Sequence, residues 1–188
     1  MRDISLHILD IMQNSTAAKS TLIKVTVQAE TRIGLLSVVI EDNGCGMDEE
    51  LLSVVTNPFS TTRTTRKVGL GIPLFKASAE QSGGSFRIAS GKGIGTVVTS
   101  GYMIDHIDRP PLGDVSGVIT DMAAAYPDVE IQLVLASGNK QFKFNSREAA
   151  QKLEGVPLAE FAVVQWFREY IGEGIREIFG GVLNEIVG

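Results

Sequence analysis

The sequence predicts an α/β protein carrying a smaller α+β extension at its C-terminal end. Three observations predict it. Apolar residues recur at helical spacing over residues 4–20 and 72–81, while alternating stretches of strand length run over 22–40 and 85–102. The composition changes after Tyr102, where "HIDRPPLGD" reads as a linker. Beyond it a helix, two strands and more helical segments follow without repeating the first part. With 188 residues, 44% of them hydrophobic and 21% charged, the chain has material for a sizeable core. The expected division is 1–104 and 105–188.

The first helix, 4–20, carries Ile4, Ile8, Ile11 and Met12 on one side, and Asp3 stands where an N-cap belongs. Residues 22–29 read as a strand, 31–34 as a turn and 35–40 as the second strand of a hairpin. Residues 48–55 read as a short helix with acids in its first turn. Residues 56–68, "TNPFSTTRTTRKV", are rich in Thr and Ser and read as a mobile loop. A helix over 72–81 closes at Ser82-Gly83-Gly84, and strands over 85–90 and 96–102 flank the turn "GKGIG". In the extension, 115–125 reads as a helix and 129–136 and 141–145 as strands. Asn145 and Glu148 suit a capping box. Helical segments over 157–173 and 175–186 are expected, with breaks near Gly172–Gly174 and Gly180-Gly181. The apolar stripe of the last one, Ile175 to Ile186, is expected to dock on its own domain, with a homodimer through this region as the alternative. Trp166, Phe167 and Tyr170 are expected to pack the extension.

Charge and cysteine usage narrow the class. A net charge of −5 argues against an electrostatic nucleic-acid binder. Cys45 is the single cysteine, which suits a reducing compartment. No stretch reaches the roughly 18 apolar residues of a membrane span, and no leader is visible, so a cytoplasmic protein is expected. His7, on the first helix, is expected to be structural, and His106 to sit in a solvated loop.

Four pieces of sequence carry chemistry. Asp10 and Asn14 are four residues apart, so they share a face of a helix that is otherwise apolar. "EDNGCGMDEE" begins at the end of a strand, and its Asp42 can accept a hydrogen bond from an exocyclic amine, favouring adenine over guanine. Glycines such as Gly44, Gly46, Gly69 and Gly71 let backbone N–H groups approach phosphates. Gly71 also precedes a helix whose N-terminus can face an anion. Arg63 and Lys67 lie in a loop that can close over phosphates, and the Asn14 oxygen suits Mg²⁺ shared with them. Asp10 can accept a proton from an attacking water.

In this order the pieces resemble the GHKL ATPase superfamily, whose members include DNA gyrase, histidine kinases and the mismatch-repair protein MutL. The resemblance covers about residues 4 to 102. "DIMQNSTAA" looks like the N box, "DNGCGM" like the G1 box of MutL-like proteins, and "NPFSTTRTTRKVGLGIPLFK" like the lid and G2 box of histidine kinases. "GIGTVV" resembles the closing strand motif. The resemblance implies the Bergerat fold, a two-layer sandwich in which helices cover one face of a mixed sheet. It further implies ATP and Mg²⁺ as ligands. Asn14 would hold the metal, Asp42 the adenine amino group, Gly44 and Gly46 the base pocket, and Gly69 and Gly71 the phosphates. Arg63 or Lys67 would serve as lid contacts, Thr96 would support Asp42 by hydrogen bonding together with an ordered water, and Asp10 would be the candidate general base. Asp10 departs from the pattern, since hydrolysing members carry the longer Glu there.

Three activities fit: a slow ATPase or histidine-kinase-like regulatory domain, a kinase acting in trans on His or Ser/Thr, and a nucleotide-gated module that binds a protein partner. No phosphoacceptor hairpin fits ahead of the first helix, so a kinase would need its substrate on another chain.

Overall fold

The computed structural model describes residues 3–56 and 70–183. Arg63, Lys67 and Gly69 lie outside the described residues. The elements are α1 (Ile4–Ala17), β1 (Leu22–Glu30), β2 (Leu35–Asp42), α2 (Glu49–Thr56), α3 (Gly71–Gln81), β3 (Phe86–Gly91) and β4 (Gly95–Met103). They continue with α4 (Val115–Ala125), β5 (Glu130–Ser137), β6 (Lys140–Asn145), α5 (Ser146–Lys152) and α6 (Phe161–Phe179).

One sheet of six strands, in the order β3-β4-β2-β1-β5-β6, organises the chain. Its pairings are antiparallel except β1 with β5, which run parallel with Val25 opposite Leu133. The period of two puts Ile23, Val25 and Val27 on the same face as Leu36, Val38 and Ile40 of β2 and Ile131, Leu133 and Leu135 of β5. All of these are buried under the helices, while Lys24, Thr26 and Gln28 point to the other face and stay partly or fully exposed. Each fully buried apolar side chain is worth about 1.5–3 kcal/mol, so this shared face is the main driving force. The result is the two-layer sandwich expected. Residues 105–183 are α+β in content and continue the same sheet through the β1–β5 pairing. The "HIDRPPLGD" stretch also leans on α1: Ile4 N–H donates to the Pro111 carbonyl and Ser5 N–H to that of Leu112.

Helix α1 begins as expected, with the Asp3 carboxylate accepting from Leu6 N–H. It ends three residues earlier than the apolar spacing suggests. Lys19 N–H donates to Thr16 O and Ser20 N–H to Ser15 O, a Schellman turn that needs a left-handed residue, and Lys19 fills it at φ 61°. A side chain with a Cβ is strained there, so Lys19→Gly is expected to raise stability by about 0.5–1 kcal/mol, read by chemical denaturation.

The C-terminal helices differ from expectation. α6 is a single helix across Gly172 and Gly174 and stops at Gly180, not two helices parted at 172–174. Gly174 is there for packing, since a Cβ on it would lie 2.6 Å from the Phe142 ring. The buried stripe of α6 is Val163, Phe167, Ile171, Gly174 and Ile178. Trp166 and Tyr170 fall one position off it, so they stack on each other at 5.7 Å and Trp166 remains 57% exposed instead of packing the core. Ile178, Phe179 and Leu183 are buried, so the described part of the apolar tail docks on its own chain. Among the described residues no helix is long and apolar enough to cross a membrane.

Candidate functional site

The C-terminal ends of α1 and β2 meet beside the start of β4 and open a cleft of about 280 Å³. Its walls come from Ile11, Asn14, Ser15 and Ala18 of the α1 region, Asp42, the Cys45–Met47 loop, Leu51 and Val55 of α2, Ile72 of α3, and Thr96 and Val98 of β4. The surface is mostly apolar with a few polar groups, which is the make-up of a small-molecule pocket.

Asp42 is the best-fixed polar group in it. Its Oδ2 accepts from the Ser15 hydroxyl at 2.7 Å, and its Oδ1 accepts from Gly44 N–H at 2.8 Å. The Ser20 hydroxyl, placed by the Schellman turn, lies 3.2 Å from Oδ1 and 2.8 Å from the Ser15 carbonyl. A carboxylate has about four acceptor positions, two on each oxygen. Oδ2 takes one of these bonds and keeps a lone pair for a donor in the cleft. Asn43 anchors the same loop from outside, its Oδ1 accepting from Thr21 and Leu22 N–H and its Nδ2 donating to Thr21 Oγ1.

Of the residues expected from sequence, Asn14, Asp42, Gly46 and Thr96 line one cleft. Asn14 lines the cleft and is exposed. A carboxamide oxygen open to the cleft fits a hard cation whose remaining ligands come from phosphates and water. Gly44 supports Asp42 through its N–H. Gly46 has φ 63°, and a Cβ on it would collide with the Gly91 carbonyl oxygen.

Two further positions have neighbours of their own. Thr96 faces Asp42 across the β2–β4 pairing, and its hydroxyl lies 2.9 Å from that of Ser90. Asp42 takes its support from Ser15, Ser20 and Gly44, which already surround it. Asp10 is not in the cleft wall. Its half-buried carboxylate lies against the first residue of α3, where a Cβ on Gly71 would come 2.5 Å from Oδ2. The N-terminal dipole of α3 attracts a carboxylate to that spot.

Ser15, Ser20 and Ser90 hold the site and were not singled out in the sequence. Adjacency to Asn14 was the one available hint for Ser15.

His7 lies outside the cleft. It is 2% exposed and stacks on Phe75 at 4.8 Å with rings 6° from parallel. Its Nδ1 is buried without a partner, and burial pushes its pKa from 6.5 down to about 4. The structural role expected of it is what it performs. His106 is partly exposed and accepts from Asp108 N–H through Nδ1.

Comparison with known proteins adds ancestry to this geometry. Residues 2–104 match the family described as histidine kinase-, DNA gyrase B-, and HSP90-like ATPase. The signal transduction histidine-protein kinase AtoS of Escherichia coli is 33% identical over 93 residues, which span 49% of this chain and 15% of AtoS. The histidine protein kinase DivJ of Caulobacter vibrioides is 31% identical over 102 residues, 52% of this chain and 17% of DivJ. The chain thus spans a small part of the curated relatives it matches. Among solved structures, the N-terminal domain of a DNA repair protein aligns with a TM-score of 0.53 over 76% of this chain and 52% of that one. Its sequence identity is 12%, a likeness of fold alone.

Proposed function

Because this chain belongs to the histidine kinase-, DNA gyrase B- and HSP90-like ATPase family, we propose that its cleft binds ATP with Mg²⁺ and that it works as a slow ATPase or histidine-kinase-like regulatory domain. The observation that carries the reading is Asp42, held by Ser15 and Gly44 with a lone pair left toward a mostly apolar cleft. That group recognises an exocyclic amine. The apolar wall of Ile11, Met47, Leu51, Val55, Ile72 and Val98 suits a flat base.

Asn14 would hold Mg²⁺ through its carboxamide oxygen, and the metal would neutralise phosphate charge. Asp10 is the candidate base for activating water. Gly71 opens α3, whose N-terminus favours anions. Gly69, Arg63 and Lys67 belong to the same proposal as phosphate contacts. Asp10 is one methylene shorter than Glu, which fits slow turnover.

A second activity, phosphotransfer to another protein, is favoured by the kinases among the relatives. A third, nucleotide-gated partner binding, is favoured by the hydrogen bonds that join α1 to residues 111 and 112. The expected protein partner, or a homodimer through residues 105–188, belongs to these alternatives.

Titration calorimetry with ATP and Mg²⁺ tests the core of the proposal. Asp42→Asn replaces an acceptor by an amide and is expected to weaken ATP about 100-fold. Asn14→Ala is expected to remove the Mg²⁺ dependence. Binding that ignores Asp42→Asn sinks the site assignment. Phosphate release by the wild type then separates the ATPase reading from the others, and acid-labile label on added protein marks phosphotransfer.

A further inference from the structure

One edge of the sheet is bordered by aromatic side chains left partly exposed. β6 is the last strand in the sheet order and pairs with β5, so among the described residues no strand pairs with its outer side. Two hollows of about 240 Å³ each share Lys143, Phe144, Asn145 and Glu148. One extends to Trp166, Phe167 and Tyr170 of α6, and the other to Gln132 and Val134 of β5. On the helix side the rings form a row. Trp166 stacks on Tyr170, and the Tyr170 ring lies 5.1 Å from that of Phe142. Trp166 ends this row in solvent.

Alternation decides what fits. Phe142 and Phe144 meet rings of α6, so Gln141 and Lys143 point to the other face of the sheet. A strand added to β6 would meet rings with every second side chain and the Lys143 ammonium with one between them. Of the charged side chains lining the two hollows, Lys143 and Lys152 are cationic and Glu148 is anionic. β6 itself, "KQFKFN", has two lysines and no acid, so pairing it with a second copy of β6 brings no counter-charge. Edge lysines repel most strands. An acidic strand is the one they attract.

We propose that β6 and the aromatic row of α6 form a docking edge for an extended segment of another protein, one in which acidic and aromatic residues alternate. The segment adds to the sheet as a new outer strand, with an acid beside Lys143 and its rings against Trp166 and Tyr170. This inference does not depend on what the cleft binds.

The probe is a short end-capped peptide of alternating Glu and Phe, titrated into the full chain. Trp166 is the single tryptophan, so its emission reports on the groove directly. A saturable change in that emission is expected, together with slowed hydrogen exchange at β6 amides. A peptide of the same composition in two blocks, Glu then Phe, is expected to bind about tenfold more weakly. Lys143 is exposed, so Lys143→Glu keeps the fold. That variant is expected to weaken the alternating peptide about tenfold and to strengthen its counterpart with Lys in place of Glu by a like factor. Equal binding of the block and alternating peptides overturns the proposal, and so do affinities indifferent to Lys143→Glu. Unchanged Trp166 emission with unprotected β6 amides overturns it as well. A wild type that dimerises in sedimentation, with β6 amides already protected, gives the edge to a second copy and overturns the proposal.

Discussion

Gly46→Ala is expected to lower stability by roughly 3 kcal/mol or more and to abolish binding in the cleft. Two separate costs meet at this residue. Its φ of 63° is one an L side chain adopts only with strain. A Cβ would also fall far inside van der Waals contact distance of the Gly91 carbonyl oxygen, which is backbone and has little freedom to retreat. Relief requires pushing the loop off the β3–β4 turn, and that breaks the Met47–Ser90 and Gly93–Cys45 hydrogen bonds. Gly93→Ala is the control. Gly93 has φ 74° but nothing within 4 Å of its Cβ position, so it is expected to lose only about 1 kcal/mol. Chemical denaturation of both variants separates backbone strain from collision. Equal losses would show that contact with Gly91 contributes nothing.

The wild type is expected to lose stability on acidification from pH 6.5 toward pH 4, with His7 contributing about 3 kcal/mol over the full range. The sign follows from proton binding. Unfolded, His7 takes a proton near pH 6.5; folded, burial beside Phe75 holds it neutral down to about pH 4. Between those limits the unfolded state binds more protons, so falling pH favours it. Above 6.5 the His7 contribution is fully present. Denaturation midpoints at pH 7.5 and pH 5 measure most of the effect, and His7→Leu is expected to flatten the slope whatever it does to absolute stability. Glu130 acts lower on the scale. Hydrogen bonds from Gln132 and Asn145 hold its pKa below the usual 4.5, so its stabilisation is lost only on stronger acidification. A slope unchanged in His7→Leu would place the titrating group elsewhere.

The helix and strand order of the first hundred residues was legible because each element shows its burial in its spacing. Asp42 and Asn14 were legible because few roles explain a carboxylate at a strand end before Asn-Gly, or a carboxamide on an apolar helix. The serines were not. A hydroxyl's role depends on what comes within 3 Å, and Ser15 meets Asp42 across 27 positions while Ser90 meets Met47 across 43. No local pattern encodes such distances. Gly174 misled for a related reason. Glycine inside a helix signals a break only when nothing packs against it, and Phe142 packs against Gly174. The neighbour of β1 was equally hidden, because periodicity specifies which face of a strand is buried and not which strand lies beside it.

The parallel pairing of Leu22 with Glu130 has a consequence for biosynthesis. β1 is an interior strand whose second neighbour is made about 100 residues later. At about 5–20 residues per second, a ribosome leaves that edge unpaired for roughly 5–20 s. During this interval the nascent chain presents an apolar strand with free backbone groups, a target for chaperones and for aggregation. A fragment stopping near residue 104 would keep that edge permanently.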